Sequence, residues 1–127
     1  LEKLLLQFYG LYCNADNTEE RYNNQIINQA IKYIKEHISQ SFSLKDISSY
    51  LAVNSAYLSR LFKKNTGKTI VTYINDEKMK MARELIESGA LTLKEVALET
   101  GFQNYNHFYL LFKETYGISP SEIKKSK

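Results

Sequence analysis

One stretch of this chain is written twice. Ser43-Leu44-Lys45-Asp46 returns as Thr92-Leu93-Lys94-Glu95, Ile47, Ser48 and Ala52-Val53 return as Val96, Ala97 and Gly101-Phe102, Leu61-Phe62-Lys63 returns as Leu111-Phe112-Lys113, and Gly67 returns as Gly117. The offset is 49 from Ser43 to Thr92 and 50 from Phe62 to Phe112, so the second copy holds one extra residue in its turn. A repeat of this size implies two like supersecondary units. Each copy opens with a capping box, in which a Ser or Thr hydroxyl accepts from the amide three residues on and an acid there accepts from the cap's own amide. In the first copy Asp46 takes the place of the usual Glu or Gln. Each unit therefore begins with a helix.

The rest of the chain reads as helices too. With five glycines and one proline there is little material for β-turns. Leu1–Cys13 is apolar on several faces (Leu4, Leu5, Leu6, Phe8, Leu11). It reads either as an extra helix on the same core or, the preferred reading, as the last helix of a missing upstream domain. The polar run Asn14–Glu20 lacks periodicity and reads as a linker. From Tyr22 to Ser39 the spacing Ile26, Ile27, Ala30, Ile31, Ile34, Ile38 forms one apolar stripe. Asn54 or Ser55 caps a helix that carries Leu58, Leu61 and Phe62 inward and ends at Gly67. Thr69 caps a longer helix to about Glu87, striped by Ile70, Tyr73, Ile74, Met81, Ala82, Leu85 and Ile86. Ser119-Pro120-Ser121-Glu122 opens a last helix. The expected organisation is an N-terminal helix and linker (1–21), a first unit (22–69), a connecting helix (70–88) and a second unit (89–127). The fold class is all-α, with about seven helices plus the N-terminal one.

Bulk properties exclude several functions. Over 127 residues, 43% apolar and 24% charged residues make an ordered, soluble chain, and no apolar run approaches the roughly 18 residues needed to span a bilayer. No secretory signal is visible, and a start at Leu1 reads as a fragment or processed product. The net charge of +3 is compatible with nucleic acid without deciding for it. Cys13 is the sole cysteine and only His37 and His107 accompany it, so neither a disulfide nor a structural zinc site is expected, and no cofactor. The composition fits the cytoplasm.

The repeated spacing has the form of a helix-turn-helix. That motif needs a small residue where its two helices cross, a turn residue tolerant of positive φ, and apolar anchors for the crossing. Ala97-Leu-Glu-Thr-Gly101 supplies the first two, with Phe102 and Phe108 as anchors. The first copy has Ser48 and Ala52 there, and alanine at a positive φ is strained, so its turn is expected to differ in geometry.

The stretch from about Ile26 to Lys124, four-fifths of the chain, resembles the DNA-binding domain of AraC/XylS-type regulators. The second copy, Val96-Ala-Leu-Glu-Thr-Gly-Phe-Gln-Asn-Tyr-Asn-His-Phe-Tyr-Leu-Leu-Phe-Lys113 with Gly117-Ile-Ser-Pro120, carries the most specific part of the signature. The resemblance implies seven helices, with the second helix of each unit in a major groove on one face of promoter DNA. It also implies a separate sensing or dimerising domain in the intact protein, hence homodimerisation through that domain, and RNA polymerase as a partner. The family usually has Gly at Ala52, often Pro at Ile70 and often Arg at Leu110. An aromatic followed by Arg often stands at Ile123-Lys124. Some repair methyltransferases hold a domain of this family and use a cysteine as acceptor, but Cys13 precedes the domain and has no metal-ligand set beside it, so no catalysis is expected.

Helical spacing then selects the DNA contacts. On the first recognition helix, Ala56, Ser59 and Arg60 are the base-reading candidates: Ala56 against a thymine methyl, Ser59 as donor or acceptor, Arg60 bidentate to guanine. Arg60 keeps two other readings, a phosphate contact and a surface salt bridge. On the second, Tyr105, Asn106, His107 and Tyr109 are the candidates, with Asn106 suited to adenine; each tyrosine is alternatively a packed ring with an exposed hydroxyl. Phosphate contacts are expected at the helix starts Ser43/Leu44, Thr92/Leu93 and Asn104, and at Lys63, Lys64, Lys68 and Lys113. Residues 54–68 hold four cations and no acid. The first unit should therefore dominate base reading. The same fold could instead serve as a protein-binding module, which a DNA-binding assay separates.

Overall fold

The computed structural model describes the backbone of residues 8–125 and the side chains of residues 18–123. Among them are seven helices and no strand: α1 (Phe8–Glu36), α2 (Leu44–Leu51), α3 (Ser55–Thr66), α4 (Ile70–Ser88), α5 (Leu93–Glu99), α6 (Tyr105–Tyr116) and α7 (Pro120–Lys125).

The break expected at Asn14–Glu20 is absent. α1 runs through it as one helix of 29 residues. The physical reason is that the run contains neither Pro nor Gly. Asn, Asp and Thr lower helix propensity by only a few tenths of a kcal/mol each, so they do not stop a helix anchored further on by an apolar stripe. Of the segment Leu1–Cys13, residues 1–7 lie outside the described residues. The helix that starts at Phe8 is continuous with the first helix of the first unit.

Elsewhere the local chemistry sets the boundaries as the sequence implies. Ser43 and Asp46 close a reciprocal capping box at α2, and Thr92 and Glu95 close one at α5. Asn54 caps α3 and Thr69 caps α4. Gly67, Gly89 and Gly117 end α3, α4 and α6 in the left-handed conformation.

Two apolar clusters form, sharing no buried residue. The first gathers Ile26, Ile27, Ala30 and Ile34 of α1, Ile47 of α2, Leu58, Leu61 and Phe62 of α3, and Ile70 and Ile74 of α4. The second gathers Met79, Ala82 and Ile86 of α4 with Val96, Ala97, Phe102, Phe108, Phe112 and Ile123. α4 is thus more than a connector: its first half completes one core and its second half completes the other. Phe62, Phe108 and Phe112 are fully buried, each the kind of side chain whose truncation to alanine costs about 3–5 kcal/mol.

The two turns are closer in geometry than the sequence suggests. Ala52 is left-handed at φ 58°, and it is the only non-glycine residue with positive φ among those described. Its neighbour Val53 donates to Ser48 O at 3.0 Å, as Phe102 donates to Ala97 O at 2.9 Å beside the left-handed Gly101. Ala52 and Gly101 are therefore the same position. The extra residue comes afterwards: one residue separates Ala52 from the cap Asn54, and two, Phe102 and Gln103, separate Gly101 from the cap Asn104.

Candidate nucleic-acid interface

A helix-turn-helix presents the outer face of its second helix, and here α3 and α6 hold that place. The offset of 50 pairs Ala56 with Asn106, Ser59 with Tyr109, Arg60 with Leu110 and Lys63 with Lys113. Their inner faces are fixed by Leu58, Leu61 and Phe62 in α3, and by Phe108 and Phe112 in α6.

On α3, Ala56, Arg60, Lys63 and Lys64 are exposed and Ser59 is half-buried. Arg60, Lys63 and Lys64 have no salt-bridge partner among the described residues, which removes the surface salt bridge as an account of Arg60. Lys68 is different. Its ammonium donates to Asp76 Oδ2 at 2.8 Å, an acid supplied by α4 and invisible within the cationic stretch 54–68. Among the described residues, three cations rather than four are thus without an ion-pair partner on this stretch.

On α6, Asn106 and His107 are exposed. The His107 ring stands edge-on to Phe102 at 5.3 Å, which holds the imidazole at the start of the helix. Tyr105 and Tyr109 are half-buried, with ring centroids 6.4 Å apart. Burial, and secondarily Tyr109, pushes the Tyr105 phenol up from its ordinary value, so it stays a neutral donor. Where α3 has Arg60, α6 shows Leu110 at 66% exposure, an apolar residue with no core to join. Lys113 is exposed at the end of this face.

The helix starts are partly occupied by their own caps. Ser43 Oγ accepts from the Asp46 amide and the Asp46 carboxylate accepts from the Ser43 amide at 2.9 Å; Thr92 and Glu95 do the same, with Thr92 N donating to Glu95 at 2.8 Å. The boxes leave the amides of Leu44 and Leu93 unused, but each places a carboxylate in the first turn, which weakens the pull on a phosphate. Asn104 Oδ1 accepts from the amides of Asn106 (2.8 Å) and His107 (3.3 Å), leaving its NH₂ group as the free donor. A cleft of about 440 Å³ lies between the units, with Ser43, Asn104, Phe42, Phe102 and Lys78 among its lining residues.

Lys78 was not singled out by the sequence reading. It is 6% exposed, and its ammonium donates to Ile38 O and Gln40 O at 2.7 Å and to Thr100 O at 2.8 Å. The signal was present: Ile74, Lys78 and Ala82 fall four apart, so a lysine occupies a position of the buried stripe. Among the described residues no cluster of His, Cys, Asp and Glu is arranged to hold a metal ion, and no helix is long and apolar enough to cross a membrane. The side chain of Cys13 lies outside the described residues.

Comparison with known proteins agrees with this architecture. A family described as a helix-turn-helix domain matches residues 47–126. The transcriptional activator RhaS of Klebsiella pneumoniae (strain 342) is 27% identical over 127 residues, covering 99% of this chain and 46% of RhaS. The chain spans under half the length of the curated relatives it matches. The C-terminal domain of AraT, a response regulator from Geobacillus stearothermophilus, superposes with a TM-score of 0.78 at 30% identity, over 80% of this chain and 85% of that one. The DNA-binding domain of AdpA, solved in complex with a target DNA, superposes at 0.75 with 19% identity over 79% and 90%, a likeness of fold. With two helix-turn-helix units on one connecting helix and this match over more than half its length, the chain belongs to the AraC/XylS-type helix-turn-helix family of transcription regulators.

Proposed function

We propose that this chain is the sequence-specific DNA-binding domain of a bacterial transcription regulator, with α3 and α6 entering successive major grooves on one face of promoter DNA, about 34 Å apart. The observation that carries this is the outer face of α3: Arg60, Lys63 and Lys64 stand exposed on a recognition helix, with no ion-pair partner among the described residues. Arg60 reads guanine, with Ser59 and Ala56 beside it. Lys63, Lys64 and Lys113 hold phosphates, together with the amides of Leu44 and Leu93, the caps Ser43 and Thr92, and the Asn104 NH₂ group. Lys68 contributes less than its neighbours, because Asp76 already neutralises it. In the second unit Asn106, His107, Tyr105 and Tyr109 form a polar surface, and Leu110 offers only apolar contact, for example to a thymine methyl. Cytoplasmic action, contact with RNA polymerase and pairing through an upstream domain belong to the same proposal.

Selection from a random double-stranded library, followed by anisotropy on the winners at several salt concentrations, tests the reading. A selected site should outbind scrambled DNA, and log K should fall linearly with log salt, at about 0.9 per phosphate neutralised. Enrichment of no sequence at any salt would overturn it.

A further inference from the structure

Lys78 stands at the boundary between the two cores, after Ile74 of the first and before Met79 of the second. Its three donors are aimed at both units. Ile38 O and Gln40 O belong to the segment between α1 and α2, and Thr100 O belongs to the C-cap of α5. Phe42 from the first side and Phe102 from the second face the ammonium, their ring centroids 5.4 and 5.9 Å away. Thr100 is itself locked, its hydroxyl donating to Val96 O at 2.9 Å and to Ala97 O at 3.1 Å. Gly101 completes the contact by leaving room: a Cβ there would lie 2.6 Å from Gln40 O and 2.6 Å from Lys78 Nζ.

A buried ammonium is a poor choice for stability alone, since an apolar side chain of similar volume often serves as well or better. What it supplies is direction. Three N–H groups diverging from one nitrogen fix three carbonyls in space, and here those carbonyls come from two bodies whose apolar cores are separate. The segment 38–42 leads into α2, on which α3 sits, and Thr100 to Phe102 lead into α6. We propose that Lys78 is a positioning residue for DNA reading: by tying the α1–α2 segment to the α5–α6 turn, it sets the orientation of α3 relative to α6 and thus the spacing at which the two units read one DNA molecule together. This rests on the DNA-binding reading above.

The test compares wild type with Lys78→Met, which keeps an unbranched apolar stem and loses the donors. Spin labels at the exposed positions 65 on α3 and 115 on α6, in a Cys13→Ser background, report the distance between the recognition helices without DNA. One narrow distance is expected in wild type and a distribution at least twice as broad in Lys78→Met; equal widths in two folded proteins would overturn the proposal. On DNA, the selected two-groove site is compared with its isolated first half and with versions carrying one inserted or deleted base pair. Lys78→Met should lose at least tenfold more affinity on the complete site than on the half-site, and should discriminate less among the spacings. Equal loss on both would reduce Lys78 to a structural role. If wild type prefers no sequence, the DNA reading fails while the distance measurement still judges the clamp. If Lys78→Met does not fold, ¹⁵N-lysine spectra of wild type decide: an ammonium signal protected from exchange supports the clamp, and a rapidly exchanging one overturns it.

Discussion

Gly101→Ala probes the one described glycine whose would-be Cβ meets the other unit. The substitution meets two penalties that can be separated. The first is conformational: Gly101 has φ +84°, and the left-handed region costs an L residue about 1–2 kcal/mol. The second is steric. The added methyl would lie 2.6 Å from Gln40 O, 2.9 Å from Gln40 C and 2.6 Å from Lys78 Nζ. The lysine end can swing away, but only by surrendering hydrogen bonds, and the Gln40 carbonyl is backbone held by that same ammonium. Overpacking of this kind costs about 1–3 kcal/mol. The sum is about 2–5 kcal/mol. Gly117→Ala is the matched control, because Gly117 has φ +77° and nothing within 4 Å of its would-be Cβ. It should lose only the conformational part, about 1–2 kcal/mol. Alanine's reduced unfolded-state entropy lowers each loss by about 0.5–1 kcal/mol and cancels in the comparison between the two variants. Urea unfolding followed by far-ultraviolet circular dichroism gives the two values. If both variants lose the same stability, the close approach of the two units at Gly101 does not exist as described.

Ala52→Gly should do the reverse: it relieves the left-handed alanine at φ 58°, less the entropy that glycine adds to the unfolded chain, for a net gain of about 0.5–1 kcal/mol seen as a higher thermal midpoint. Arg60→Ala should relax discrimination at one base pair by about 1–3 kcal/mol, measured on single-substituted sites; an equal loss on every sequence would make Arg60 a phosphate contact instead. Lys63→Ala should weaken all sequences alike and reduce the salt slope by about one, whereas Lys68→Ala, whose ammonium already sits on Asp76, should move the slope much less. Burial pulls the Lys78 amine down from 10.5 to about 8, against the three carbonyls that favour its charged form. Between pH 8 and 10.5 the unfolded chain holds a proton there that the folded chain has released, so this group's contribution to stability rises with pH across that window. The stability difference between wild type and Lys78→Met should shift toward wild type between pH 7.5 and 9.5 in urea titrations.

The repeat made most of the fold legible, because caps and apolar stripes are local chemistry. Ser43 with Asp46, Thr92 with Glu95, and the glycines at 67, 89 and 117 do in the structure what their types and spacing imply. The polar run at 14–20 misled because polarity alone does not break a helix: without Pro or Gly the helical backbone continues through a run that reads as a linker. The candidate reading faces were legible for the same reason as the stripes, since whatever is not inward on α3 and α6 is outward. What local spacing does not carry is the partner across a fold. Asp76, the partner of Lys68, lies eight residues on, in α4, and the carbonyls that surround Lys78 come from as far as 40 residues away. A lysine on a buried stripe signals that some partner must exist, without naming it.

The two turns show where the copies cease to be interchangeable. Ala52 and Gly101 share one backbone conformation, yet only one of them carries a side chain. Ala52 is exposed, so its methyl meets solvent and the fold tolerates a strain of about 1–2 kcal/mol. Gly101 faces the other unit, where the same methyl would strike Gln40 and Lys78. The demand for glycine at this turn thus comes from two sources, and only the conformational one is shared by both copies. The second unit is held to the first through its turn, and the first unit, whose turn is open to solvent, carries the exposed cations Arg60, Lys63 and Lys64. The proposed concentration of base reading in α3, with α6 set at a fixed angle by Lys78, matches that division. Sites altered under α3 should lose affinity through their own contacts. Sites altered in spacing should lose it through the clamp.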